Sequence, residues 1–317
     1  MSRIVVTGGS GRLGRTVVAG LAASGHDVVS LDRARRIDTT PSVEGVTHVA
    51  VDLTDADAAR QALVDARADA LIHLAAIAVP FSAPEDVILR TNTTLALNVL
   101  GGAARSGIRR IVTASSPTVL GYGAPNGWLP DRFPLDETTP TRPWNAYALS
   151  KLVAEQTIAM LAREVSPDIR FAAFRPCYVI APEEWRGAPT QQGNTVVERL
   201  DDPALSAPAL FNYVDARDVT AFVEALLPAM GDLPPAEVFF VGAADALARA
   251  PLAELLPRFL PGSDALTADL TGTTPAFSSA KAERMLGWRP TRSWRTELAV
   301  AAATAASSPA SRKDVPA

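Results

Sequence analysis

A chain of 317 residues that is 48% hydrophobic and 20% charged can bury a substantial core, enough for one large domain or one domain with a small appended lobe. The formal net charge of −4, with no basic run longer than the R-A-R-R at 33–36, argues against nucleic acid or an anionic membrane surface as the main partner. Cys177 is the only cysteine, so no intramolecular disulfide forms, and the three histidines have no metal-ligand spacing with it. The N-terminus enters a strand-like IVVTGG without a charged leader, and no window approaches the roughly 18 apolar residues of a spanning helix, so a cytoplasmic protein without a metal is expected.

RIVVTG, DVVSLD, VTHVAVD, DALIHLAA and RRIVTASS predict buried strands through the first half. Between them GRLGRTVVAGLAASG, DADAARQALVDAR and PEDVILRTNTTLALNVLGGAARSG predict helices that end at Gly or a polar break. AYALSKLVAEQTIAMLARE then reads as a helix and IRFAAFRP as a strand. This alternation implies right-handed β-α-β units: an α/β fold with a doubly wound parallel sheet and helices on both faces. After Pro176 the texture changes. Residues 182–208 are loop-rich, FNYVDARDVTAFVEALL reads as a strand leading to a helix, AEVFFVGA as a further strand, and 245–298 as short Pro-broken pieces. The expected organisation is a sheet domain from 1–176 with 210–243, a small interleaved lobe from 177–209 with 244–300, and a flexible tail over 305–317.

Residues 7–14 read TGGSGRLG, directly after an apolar strand and opening a helix. Glycines at 8, 11 and 14 permit a tight turn and let the backbone approach a pyrophosphate seated on the helix N-terminus. Asp32, closing the second strand about 20 residues further on, is placed to accept from the adenosine ribose hydroxyls and to repel a 2′-phosphate, which favours NAD. Arg33, Arg35 and Arg36 follow, and are either a 2′-phosphate cradle, which makes NADP possible, or a solvated loop. Asp52 after the third strand either meets the adenine amino group or caps the helix beginning near Thr54.

NAYALSK at 145–151 places Tyr147 and Lys151 four residues apart, one helical turn. By itself the pair is either a surface contact or an acid/base couple. A strand ending TASSPTVLG delivers Ser115 and Ser116 to the sheet edge where ligands of such folds lie. These segments, together with HLAA (73–76), TNTTLALN (91–98), R-P (175–176), YVDARDV (213–219) and SSAKAERMLGWRP (278–290), resemble the extended short-chain dehydrogenase/reductase superfamily in its epimerase/dehydratase-like branch. The resemblance covers nearly the whole chain and implies a Rossmann fold.

It implies Tyr147 as general acid/base, Lys151 as holder of the nicotinamide ribose and stabiliser of the tyrosinate, Ser116 as donor to the reacting oxygen, and Asn92 as a supporting amide. Moving a phenol from about 10 to about 7 takes roughly 4 kcal/mol, about what one ammonium at ~4 Å supplies at an effective dielectric of ~20. The resemblance puts the cofactor against Gly8, Gly11, Arg12, Leu13 and Gly14, then Asp32, Arg33, Asp52 and Leu53. It adds Leu74, Ala75 and Ala76 beside a structural His73, then Asn92, Tyr147, Lys151, Pro176, Tyr178 and Val179. Substrate is expected at Ser116, Pro117, Thr118 and Cys177, with Trp185 as a stacking face and Arg186, beside Gln191 and Gln192, as a polar grip.

Departures from the family pattern narrow the chemistry. Pro117 and Thr118 stand where dehydratases carry Asp-Glu, and Phe211 where nucleotide-sugar epimerases carry a diphosphate-binding arginine. Ala181 and Leu120 replace the usual glycine and tyrosine. Together with the short 182–211 stretch these imply a small pocket and an oxidoreductase acting on a small sugar, sugar acid or similar polar hydroxy/keto compound. A sugar epimerase with tightly held NAD, or a non-catalytic NAD(P)-sensing regulator, are the other readings. The resemblance also implies a homodimer through the helices after strands four and five.

Overall fold

The computed structural model describes residues 1–33 and 43–307, the last three as backbone only. Strands run in chain order as β1 (Arg3–Thr7), β2 (Asp27–Asp32), β3 (Val46–Ala50), β4 (Ala70–His73), β5 (Arg110–Ala114), β6 (Arg170–Pro176), β7 (Val179–Ile180), β8 (Val214–Asp215) and β9 (Glu237–Val241). The helices are α1 (Arg12–Ala23), α2 (Ala56–Ala66), α3 (Glu85–Arg105), α4 (Ala146–Glu164), α5 (Val196–Asp201), α6 (Ala216–Ala229), α7 (Leu252–Phe259), α8 (Asp264–Thr267), α9 (Ala280–Leu286) and α10 (Trp294–Ser307).

Seven strands form one parallel sheet in the order β3-β2-β1-β4-β5-β6-β9. The order reverses between β1 and β4, so the chain leaves those two strands in opposite directions and opens a crevice at their C-terminal ends. Side chains alternate across the sheet. Ile4, Val6, Val28, Ile72, Val112 and Phe174 pack under α1 and α6, whereas Val5, Val29, Leu71, Ile111 and Phe171 pack under α2, α3 and α4. Burial on both faces is what makes these strands read as continuous apolar runs. Phe222 of α6 anchors its layer, with ring contacts to Phe174, Phe239 and Trp288 at 5.7, 5.8 and 5.4 Å between centroids; truncating so buried a ring costs about 3–5 kcal/mol.

Two strands differ from their sequence reading. β3 is exposed over Thr47–Ala50, not buried, because it pairs only with β2 and forms the sheet edge. β8 is two residues long and joins β7 in a separate parallel pair rather than the main sheet, since Leu210 and Phe211 turn the chain through positive φ immediately before it. Around that pair lies a third hydrophobic cluster built from Ile180, Trp185, Val196, Leu200, Tyr213, Leu247 and Trp294. The C-terminal helix α10 continues to Ser307, past the predicted start of the tail at 305, and the rest of that prediction lies outside the described residues, as do Arg35 and Arg36.

Candidate active site

The turn between β1 and α1 is packed to its limit. Gly8 holds φ +71°, and a Cβ there would lie 2.7 Å from the Ala75 nitrogen; one at Gly14 would lie 2.1 Å from the Gly8 oxygen. Thr7 ties this turn to the end of β4: its oxygen accepts from Leu74 N at 3.1 Å, its hydroxyl from Ala75 N at 3.3 Å, and the hydroxyl shares a 2.7 Å hydrogen bond with His73 Nδ1. Gly11, the N-cap of α1, offers no side-chain acceptor and no acid occupies the first turn, so the helix start presents its N–H groups to an incoming anion. Asp32 stands beside it with Oδ2 accepting from Ser10 N at 3.0 Å and Oδ1 from Arg33 N at 2.7 Å. These residues fit a dinucleotide: a cradle no side chain could share, a bare helix start and a carboxylate at ribose distance from the turn.

Around this cradle the other predicted cofactor residues divide. Leu13, Leu74, Ala75 and Ala76 are half-buried along the crevice, as are Pro176, Tyr178 and Val179 across the sheet, and Leu53 is a core residue. Asp52 does not cap α2. Its Oδ1 accepts from Thr54 N and Oγ1 at 2.9 and 2.7 Å, bonds that hold its carboxyl below the usual range, while Asp55 caps the helix through Asp57 N and Ala58 N. Arg12 turns away from the turn and pairs with the buried Glu184 of the 184–186 helical turn.

α4 starts where Asn145 caps it, Oδ1 accepting from Ala148 N at 2.9 Å, and this sets Tyr147 in the first turn with Lys151 one turn on. Both are buried, as are Ser116 and Asn92. Ser116 Oγ accepts from Thr118 Oγ1 at 2.9 Å and from Thr118 N at 3.3 Å, fixing the turn that begins at Pro117. Asn92 on α3 donates to Ser150 Oγ at 3.0 Å and to Ile77 O at 3.1 Å and accepts from Ile77 N at 2.8 Å. It therefore pins the β4–α3 loop to the residue before Lys151, a positioning contact rather than one to the reacting atoms.

Electrostatics of the pair differ from the sequence-based estimate. Lys151 Nζ sits 5.8 Å from the Tyr147 ring centroid and donates to Ala114 O at 2.9 Å. Burial pushes the phenol up to about 12, with only a Ser116 hydrogen bond opposing it, and pulls the amine down to about 8. His73 is driven to about 3 by burial and then by the Lys151 charge, so it is neutral. The protein's own groups do not give the expected drop of Tyr147 to neutrality, because desolvation outweighs the Ser116 hydrogen bond.

Of the predicted substrate residues, Ser116, Pro117 and Cys177 are buried just past the C-terminal ends of β5 and β6 with Thr118 beside them, and burial pushes the Cys177 thiol up. Trp185 is not a free stacking face: it is 3% exposed, its Nε1 donates to Asp215 Oδ2 at 2.6 Å, and its ring meets Tyr213 edge-on. Arg186 and Gln191 are exposed. Sequence reasoning missed Glu155, which accepts Arg175 Nε and Nη2 at 2.8 Å each and Ser115 Oγ at 2.5 Å. Its signal was available, since Glu155 follows Lys151 by four residues on the same helix face. Tyr122 was missed too; its buried phenol is raised above its ordinary value by desolvation and by Cys177, and Tyr147 adds to this.

Fold and crevice together define a short-chain dehydrogenase/reductase of the extended type, built on a Rossmann sheet. The chain belongs to the NAD dependent epimerase/dehydratase family, whose model matches residues 4–242. It is 36% identical over 160 residues to a UDP-glucose 4-epimerase of Azospirillum brasilense, covering 49% of this chain and 43% of that one. It is 33% identical over 161 residues to an L-arabinose 1-dehydrogenase (NAD(P)(+)) of Haloferax volcanii, covering 49% and 59%. The chain thus spans about half the length of the curated relatives it matches. A short-chain dehydrogenase/reductase superfamily protein from Agrobacterium tumefaciens, solved with bound NAD, has the same fold at a TM-score of 0.67 and 24% identity over 96% of this chain and 97% of that one.

Proposed function

We propose that the protein is an NAD(P)-dependent oxidoreductase that interconverts a hydroxyl and a carbonyl on a small sugar, sugar acid or similar polar molecule. The observation that carries this reading is the burial of Tyr147, Lys151 and Ser116 by the C-terminal end of β5, where Lys151 Nζ donates to Ala114 O at 2.9 Å. Asp32 supports NAD over NADP. When bound, the nicotinamide exchanges a hydride with the substrate carbon. Tyr147 moves the hydroxyl proton, Ser116 donates to the reacting oxygen, and Lys151 holds the ribose and steadies negative charge on the phenol oxygen. Pro117 and Thr118 offer no carboxylate for the extra proton transfers of dehydration.

The small-substrate reading is supported by Phe211, 1% exposed, which occupies the position of a diphosphate-gripping arginine with an apolar ring. A second reading, sugar epimerisation at the same site, is supported by the UDP-glucose 4-epimerase relatives. The two separate on cofactor handling: net NADH formation at 340 nm with aldoses or uronates and a freely exchanging cofactor supports the dehydrogenase, while NAD retained through purification with no net redox change supports the epimerase. Tyr147→Phe should lower turnover by about 100- to 10,000-fold in either case, and undiminished turnover would remove Tyr147 from the mechanism. We further propose a homodimer contact on α3 and α4, a reading supported by Leu97, Leu149 and Met160 being 53%, 40% and 46% exposed; sedimentation showing only monomers at micromolar concentration would remove it.

A further inference from the structure

The small lobe buries a cation that the reaction above does not use. Arg199 of α5 is 2% exposed and is among the largest fully buried side chains of the protein. Among the described residues no carboxylate pairs with it. Nη1 donates to Gln192 Oε1 at 2.6 Å, Nε has no partner, and the guanidinium carbon stacks 4.3 Å from the Tyr178 ring centroid. The Tyr178 hydroxyl is likewise buried without a partner. Buried charges are normally paired, because an isolated one forfeits its hydration; a guanidinium held by one neutral amide with Nε left without an acceptor is an unfinished contact.

Arg199 also lines a cavity of about 260 Å³ with Asp201, Phe211, Leu247, Arg249 and Arg258. Its guanidinium meets Gln192 and Tyr178, which lie outside that lining, while Arg249 pairs with Asp201 there at 2.7 Å. Tyr178, against which the guanidinium stacks, leads toward the reaction site: its N donates to Asn212 Oδ1 at 2.8 Å, and the Asn212 side chain also hydrogen-bonds Tyr122, the phenol beside Cys177 and Tyr147.

We propose that Arg199 anchors an oxyanion of the substrate, a carboxylate or phosphoryl group carried away from the reacting carbon. This deepens the small-sugar reading and rests on it. The planar fork suits two-point capture of such a group, and the Tyr178 ring that supports its face holds the fork in place. The lobe thus carries a cation on α5, in place of one at Phe211.

The test measures binding, apart from turnover: galacturonate, galactose 6-phosphate and galactose, a matched set differing only at the sixth carbon, are titrated calorimetrically into the enzyme loaded with NADH, which cannot oxidise them. One of the two anions should bind about 10- to 100-fold more tightly than galactose, and which one does so identifies the oxyanion. Arg199→Met should collapse that preference while melting no lower than the wild type, since it removes an uncompensated buried charge. Arg199→Lys, which keeps the charge and loses the fork, should retain a reduced preference and serves if the methionine variant fails to fold. Wild-type enzyme that binds the three alike, or none, overturns the proposal, as does either variant with the preference intact. A preference without NAD reduction leaves Arg199 standing and removes the oxidoreductase reading; reduction with galactose and no preference does the reverse.

Discussion

Replacing Glu155 by glutamine tests whether the buried carboxylate behind the active site holds it together. Glu155 and Arg175 are each about 5% exposed at the side chain and meet through two bonds of 2.8 Å, with Ser115 Oγ as a third donor at 2.5 Å. Glutamine preserves the shape, yet it removes the charge and turns one acceptor into a donor facing Arg175. Arg175 Nη1 already lacks a partner, so nothing nearby can compensate. Breaking one side of a buried pair costs about 3–5 kcal/mol. At about 2 °C per kcal/mol for a chain of this length, the melting temperature should fall by roughly 6 to 10 °C. Activity should fall with it, because Ser115 lies between Ala114, whose oxygen takes the Lys151 ammonium, and Ser116. Thermal melts of the single variant and of Glu155→Leu/Arg175→Met decide the matter. Two apolar groups of similar volume leave no orphaned charge, so the double variant should regain more than half of the loss. A single variant melting within about 1 °C of the wild type, or a double variant worse than the single, would refute the reasoning.

Lys151 should make stability depend on pH. Its folded value of about 8 lies below the ordinary 10.5, so between those values the unfolded chain binds a proton the folded one does not, and stability rises with pH across that window. Denaturant titrations from pH 7.5 to 10 should show the rise in the wild type and its absence in Lys151→Met; parallel curves would mean the amine is not desolvated. Asp32→Ala should weaken NADH binding by about 10- to 100-fold and raise NADPH affinity relative to it, read by nicotinamide fluorescence. An unchanged NADH to NADPH ratio would take Asp32 away from the ribose.

What the sequence revealed follows from how local each signal is. The glycine turn, Asp32 and the Tyr147–Lys151 spacing are set by backbone geometry over a few residues, and the structure brings them to one crevice. Strand burial was legible for β1, β2, β4, β5 and β6, but the valine-containing run VTHV at 46–49 gave no indication that β3 ends the sheet. Trp185 was misread because an indole in a polar loop looks exposed until Asp215, 30 residues away, supplies its hydrogen bond. The Arg12 side chain has a partner that no local signal shows: Glu184 is 172 residues distant. Arg199 was invisible altogether, since a short helix reading VVERLD shows a charged face and not which arginine turns inward.

The unliganded electrostatics say what the protein leaves for its ligands to do. Lowering Tyr147 from about 12 to neutrality takes about 7 kcal/mol at 1.36 kcal/mol per pKa unit. One ammonium at ~4–6 Å supplies about 3–4 kcal/mol at an effective dielectric of ~20, and burial pulls the Lys151 amine down to about 8. Burial therefore favours a neutral phenol beside Lys151. A bound oxidised nicotinamide would add positive charge near that phenol, and Lys151 would hold its ribose. Burial, which opposes the charged phenol at rest, then strengthens each of those added interactions, because the same dry surroundings that raise the phenol also leave their charges unscreened.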